Sequence, residues 1–97
     1  MSANYIIAQE YDNIFFGIED IMYRDFERCT FIKCDFTQCD YLAVAFIDCK
    51  FINCNFTEAK INYVSLRDAL FTGCNFSGVN FAMVDRLLFK FEFKDCI

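Results

Sequence analysis

Stepping five residues at a time from Phe26, the chain presents Phe26, Phe31, Phe36, Tyr41, Phe46, Phe51, Phe56, Ile61, Leu66, Phe71, Phe76 and Phe81, large and apolar at every step. Two positions before each stands a second series: Arg24, then Cys29, Cys34, Cys39, Val44, Cys49, Cys54, Ala59, Val64, Ala69, Cys74 and Val79, all small and apolar after the first. A period of five fits neither the roughly 3.6 residues of a helical turn nor the alternation of a strand, so the chain is neither an amphipathic helix nor a sheet of long strands. A chain that turns a corner every five residues does fit. The small and large residue of each unit, two apart on a short strand, then both point inward, and the other three face water or form the corner.

The strongest self-match sets the number of corners. CTFIKCDFT begins at 29, CKFINCNFT at 49 and ALFTGCNFS at 69, twenty residues apart. Four units therefore close one coil, and the fold expected is all-β: a quadrilateral parallel β-helix of about four coils of twenty residues. Coils stacked at the parallel-strand spacing of about 4.8 Å place Phe31, Phe51 and Phe71 in one column, Phe36, Phe56 and Phe76 in a second, and Cys34, Cys54 and Cys74 in a third. Tyr11, Phe16 and Ile21 carry the register back through a first, less regular coil from about residue 9. Residues 1 to 8, with Tyr5 and Ile7 alternating against polar neighbours, are expected to form an entry strand or cap, which repeat arrays need at their terminal edge.

After Phe81 the register fails. Arg86 falls on an inward position, and FEFKDC restores the pattern at Phe93 and Cys96, twelve residues beyond Phe81 where ten are due. A two-residue bulge or small loop within 84 to 90 is expected, leaving 9 to 83 as regular coils and 84 to 97 as an irregular last one.

At 97 residues, 57% hydrophobic and 20% aromatic, the chain is one domain with ample core material. Three Gly and no Pro are few for a fold made of corners, so the turns must tolerate ordinary residues. A net charge of −5 argues against binding nucleic acid, which needs a surplus of Lys and Arg on some face. No apolar run approaches the roughly 18 residues of a membrane span, and MSANYIIAQEYDN lacks the basic start and long apolar core of a signal peptide. A cytoplasmic location is expected. The seven Cys are odd in number and carry no export signal, so reduced thiols are expected rather than a disulfide framework. The absence of His excludes Cys-His nucleophile pairs and mixed Cys/His zinc sites, leaving only an all-Cys metal site to consider.

A tandem unit of small apolar residue, Asp or Asn, Phe or Leu and two variable positions resembles the pentapeptide-repeat family, over about residues 9 to 83 with continuation to 96. The resemblance implies a right-handed quadrilateral parallel β-helix with both apolar series inside. The phrases FERCTFIKCDFTQC and LRDALFTGCNFSGVNF are similar to the N-terminal part of the quinolone-resistance members, which mimic DNA and bind type II topoisomerases. That likeness implies DNA gyrase or topoisomerase IV as a protein partner. Those relatives are about twice as long, dimerise through their C-terminal ends and carry projecting loops that matter for protecting gyrase; the coils from 24 to 83 have no such insertion.

Each tempting chemistry has a structural counterpart. The stacked thiols suggest disulfides or an all-Cys metal site, yet side chains in register point the same way, and other units place Val44, Val64 or Ala59 where these place Cys; free Cys packs as a small hydrophobe. Asp25, Asp35, Asp40, Asn55, Asn75 and Asn80 look like paired carboxylates, but recur at nearly every corner, as residues that cap turns do. A filled solenoid offers no pocket, so no catalysis, cofactor or metal is expected. The acids concentrate at the N-terminal end, with six against two basic residues in 1 to 28, and Asp48 over Asp68 is the one clean stacked acidic pair in the outward columns.

Two adjacent outward columns are unusually apolar: Met22, Leu42, Asn62 and Ala82 in one, Tyr23, Ala43, Tyr63 and Met83 in the other. Unless the N-terminal segment folds back over it, such a patch marks a protein contact. The candidates for partner binding are therefore Met22, Tyr23, Leu42, Ala43, Tyr63 and Met83, with Asp48 and Asp68 for a duplex mimic. The expectation is a non-catalytic scaffold that presents a rigid surface to another protein. Its alternative is a structural module that forms a homo-oligomer through the apolar face or the C-terminal edge.

Overall fold

A computed structural model describes residues 4 to 61, 64 to 81 and 90 to 97. Its strands come in the order β1 (Tyr5–Ile7), β2 (Glu10–Asp12), β3 (Asp25–Glu27), β4 (Thr30–Ile32), β5 (Ala45–Ile47), β6 (Lys50–Ile52), β7 (Ser65–Thr72) and β8 (Lys90–Lys94). Every pairing is parallel and joins one coil to the next: β1 to β3 to β5 to β7, and β2 to β4 to β6 to β7. The register is the twenty-residue repeat itself, with Phe26 opposite Phe46 and Phe31 opposite Phe51. Two walls are thus strands. A third is held by single bridges from Phe15 to Asp35, Asp35 to Asn55 and Asn55 to Asn75, and the fourth, bearing Ile21, Tyr41 and Ile61, is turns.

Both apolar series point inward. Of the large series, every member from Phe26 to Phe76 is buried, and Phe81 packs half-buried against the same cluster. Tyr11, Phe31, Phe51, Phe71 and Phe93 form a column of near-parallel rings with centroids 5.1, 4.9, 4.6 and 5.3 Å apart. The second column, Phe16, Phe36, Phe56 and Phe76, is spaced 5.0, 4.9 and 4.8 Å. Rings of neighbouring walls meet edge to face, as Phe31 does Phe36 at 5.3 Å and 72°, so each quadrupole finds its complement along the rod and across it.

β1 is in phase with these coils. Ile6 lies opposite Phe26 and packs on the core, while Tyr5 and Ile7, whose alternation is the more conspicuous in the sequence, are exposed. At the other end β8 stacks on β7 with Phe93 opposite Phe71, twenty-two residues apart (93 − 71), and the ladder skips Asp68 between Arg67 and Ala69. The expected bulge, Arg86 and Met83 fall within residues 82 to 89, outside the described residues, as does Tyr63.

The corners do use left-handed backbone, with few glycines to supply it. Among the described residues eleven non-glycine residues have positive φ, including Arg28, Lys33, Asp48 and Asn53, each two after an inward large residue. Each such residue costs about 1–2 kcal/mol in the left-handed region. An interlayer hydrogen bond offsets that cost, because the N–H of the strained residue donates to a carbonyl nineteen residues on: Arg28 to Ile47 at 2.9 Å, Lys33 to Ile52 at 2.8 Å, Asp48 to Arg67 at 2.7 Å and Asn53 to Thr72 at 2.8 Å.

Candidate protein-interaction surface

Among the described residues the interior is filled. The void enclosed between Tyr41, Phe46, Phe51, Phe56 and their neighbours is about 10 Å³, lined by apolar atoms only and at the lower limit for one water. The thiols are part of this packing. Cys29, Cys34, Cys39, Cys49, Cys54 and Cys74 are free and buried. Each points its sulfur at the carbonyl of the large residue twenty-three positions back, as Cys49 does at Phe26 (3.3 Å) and Cys54 at Phe31 (3.2 Å). Burial pushes the Cys49 thiol up to about 12, and burial together with the carboxylates of Asp20 and Asp35 does the same to Cys39. Neither is a nucleophile at neutral pH. Tyr41, raised in pKa by burial, donates its hydroxyl to the Phe36 carbonyl at 2.8 Å. Among the described residues, no three His, Cys, Asp or Glu side chains are arranged to hold a metal ion.

The Asp and Asn series serves the corners. Oδ1 of Asp35, Asn55 and Asn75 accepts the N–H of Thr37, Thr57 and Ser77 at 2.9, 3.0 and 2.9 Å, and Asp40 accepts that of Leu42 at 3.0 Å. The hydroxyls of Thr37 and Thr57 donate to the same oxygens, at 2.7 and 2.6 Å. These are local turn bonds, with the carboxylates committed to backbone.

On the outer surface the fourth wall is the most unusual part. Tyr41 to Val44 and Ile21 to Arg24 are tight turns, closed by Val44 N–H to Tyr41 O and Arg24 N–H to Ile21 O, both at 3.2 Å. Their end residues hold the inward positions, so their central residues, Leu42 with Ala43 and Met22 with Tyr23, must point out whatever their polarity. Tyr23 is 54% exposed and Leu42 43%, while Met22 is half-buried. The Tyr23 N–H donates to the Leu42 carbonyl at 2.9 Å, tying the two rungs together. β1 continues the first wall beneath β3, so described residues from Asn4 on leave this patch open.

Ile18 joins the patch and was not expected from the apolar columns. It sits at the tip of the turn from Gly17 to Asp20, closed by Asp20 N–H to Gly17 O (3.2 Å) and Gly17 N–H to the Asp20 carboxylate (2.6 Å), and is 61% exposed. Its signal was an isoleucine two after the inward Phe16, on a corner position where the other coils carry Gln38, Glu58 and Gly78. Ile18 and Leu42 flank an open groove of about 620 Å³ whose rim carries Asp40, Glu58 and Lys60. Glu19 and Asp20, next along the turn that bears Ile18, are exposed.

Asp48 and Asp68 lie elsewhere, on the corner between the two strand walls, and Arg28 stands beneath them in the same column. Asp20 and Asp40 are likewise followed by Lys60 and Asn80. The carboxylates thus do not run as an unbroken stripe along any corner. Among the described residues no helix is long and apolar enough to cross a membrane.

A solenoid built from five-residue units, four to the coil, with a small and a large apolar residue inside each, defines a class of binding and structural scaffolds. The family model of the pentapeptide repeat region matches residues 24 to 96, and the chain belongs to that family. No curated protein matches the sequence. Among solved structures, a trypsin-treated R167E form of QnrB1, a plasmid-mediated fluoroquinolone resistance protein, superposes with a TM-score of 0.53 at 23% identity, over 95% of this chain and 44% of that one. A trypsin-treated M102R form gives 0.55 at 14% identity, over 94% of this chain and 54% of that one. The chain therefore spans about half the length of these neighbours, and what they share with it is the fold.

Proposed function

We propose that this chain is a non-catalytic binding scaffold, a rigid solenoid that presents its fourth wall, with Tyr23 and Leu42 on it and Ile18 at its edge, to a protein partner, and that the partner is a type II topoisomerase, DNA gyrase or topoisomerase IV. The observation that carries the reading is large apolar side chains held exposed over a filled interior and rimmed by Asp40 and Glu58, with Glu19 and Asp20 exposed on the turn that bears Ile18. Apolar anchors inside a charged rim suit a protein contact. Carboxylates in that rim favour a basic partner surface, which an enzyme that grips duplex DNA must have. Likeness to fluoroquinolone-resistance solenoids supports the choice of partner. Because Arg28 and Lys60 interrupt the acidic columns, the reading rests on anchor and rim rather than on phosphate-by-phosphate imitation of a duplex.

The test is gyrase supercoiling of relaxed plasmid with the chain added. The expected result is a concentration-dependent change in supercoiling that Leu42→Asp weakens at least tenfold. No effect of the wild-type chain at tens of micromolar would remove the topoisomerase while leaving a scaffold for another partner. A second reading, self-association, draws on the exposure of Phe93 (45%) above the aromatic column and on β8, which pairs only with β7 among the described strands. Light scattering separates the two, since a strict monomer at high concentration excludes self-association.

A further inference from the structure

The groove beside Leu42 has a definite origin in the backbone. At the corner leaving the third wall, Ile18 and Gln38 are not left-handed, whereas their counterparts one coil on, Glu58 (φ 54°) and Gly78 (φ 77°), are. Like corners are tied together: Asp40 N–H donates to Ile18 O at 3.0 Å between the first two, and Glu58 N–H donates to Ser77 O at 2.7 Å between the last two. Between Gln38 and Glu58 the two geometries meet and neither bond forms. The N–H groups of Gln38 and Lys60 and the carbonyls of Gln38 and Thr57 have no main-chain partner among the described residues. The coils part here, and the opening of about 620 Å³ is the result.

We infer that this groove binds an extended segment of a protein partner through an arginine side chain, an assignment that rests on the scaffold reading and gives it a contact. An arginine laid in the groove runs its aliphatic stem over Ile18 and Leu42. Its planar guanidinium reaches the Asp40 and Glu58 carboxylates and, with the donors left over, the carbonyls that the corner mismatch leaves unpaired. The free N–H groups of Gln38 and Lys60 donate to a carbonyl of the segment in return. Two carboxylates in the groove, Asp40 and Glu58, against Lys60, with Glu19 and Asp20 exposed on the turn that bears Ile18, set the sign of the occupant's charge. A point-charge ammonium satisfies fewer of these acceptors, so lysine is the weaker occupant.

The probe is the blocked peptide acetyl-Gly-Leu-Arg-Leu-Gly-amide, titrated into the ¹⁵N-labelled chain and followed by amide shifts, with lysine and glutamate versions alongside. The arginine peptide is expected to give saturable shifts at Gln38, Leu42 and Lys60. The lysine peptide should bind at least fivefold more weakly, and the glutamate peptide not at all. Asp40→Asn, which keeps an oxygen for the Leu42 N–H, and Glu58→Gln should each weaken binding at least threefold, whereas Asp48→Asn on the far corner should leave it unchanged. Absence of saturable shifts, shifts spread equally to Asp48 and Asp68, or lysine binding as tightly as arginine would overturn the assignment. If the peptide fails while Leu42→Asp still relieves the effect on gyrase, the groove is wrong and the scaffold stands.

Discussion

Phe51 is the residue on which the packing depends most. It is fully buried in the middle of the five-ring column, stacked on Phe31 and Phe71 and edge-on to Phe36, Phe46 and Phe56. Phe51→Ala removes the ring from both coils at once and is expected to destabilise the chain by about 3–5 kcal/mol, read by urea unfolding; Phe51→Leu, which keeps most of the volume, should cost about 1.5 kcal/mol or less. Gly73 tests the corner rather than the core. Its φ is +66°, and a methyl there would run into Oδ1 of Asn53 one coil below. Gly73→Ala is expected to cost about 1–3 kcal/mol, and less in an Asn53→Ala background, where only the backbone penalty is left. Both inward series were legible from the period alone, because twelve consecutive positions agree. The same step reaches Ile6, five before Tyr11, although Tyr5 and Ile7 form the louder alternation and a one-residue shift of phase would turn every side chain over.

Among the elements, the strands follow from the sequence and the corners only partly do. Asp35, Asn55 and Asn75 could be read as turn caps, since Asx side chains bond the N–H two residues on wherever they begin a corner. Handedness at that corner was hidden. Neither Gln38 nor Glu58 is glycine, their two backbone states differ by about 1–2 kcal/mol, and interlayer hydrogen bonding decides between them. The groove follows from that choice, so it was invisible in the sequence although every residue lining it was in view. Ile18 stands outside the apolar columns, at a position where the other coils carry Gln38, Glu58 and Gly78. The elements also predict how stability depends on pH. Burial raises the Cys39 and Cys49 thiols from 9.0 to about 12 in the folded chain. Between those values the unfolded chain has lost the proton and the folded chain still holds it, so stability falls as pH rises through that window. The melting temperature should be level from pH 6 to 8, by the thiols, and drop steadily above about pH 9. A flat profile to pH 11 would show these sulfurs to be in water.

For the whole molecule, a filled rod should be reactive only at its skin. Of the seven thiols Cys96 alone is partly exposed, so a thiol reagent should label it in the native state and reach the other six only on unfolding. Leu42→Asp should leave the unfolding free energy within about 0.5 kcal/mol of wild type, as a change to an exposed turn does, while weakening the partner contact at least tenfold. Everything proposed for the surface depends on coils of twenty residues placing Tyr23 and Leu42 on one wall and Ile18 at its edge. The most direct measurement is a nuclear Overhauser map of the ring protons in a phenylalanine-labelled sample. Cross-peaks from Phe51 to both Phe31 and Phe71, and from Phe56 to both Phe36 and Phe76, are the predicted result. Cross-peaks joining phenylalanines three or four residues apart in the chain, with none at twenty, would contradict it.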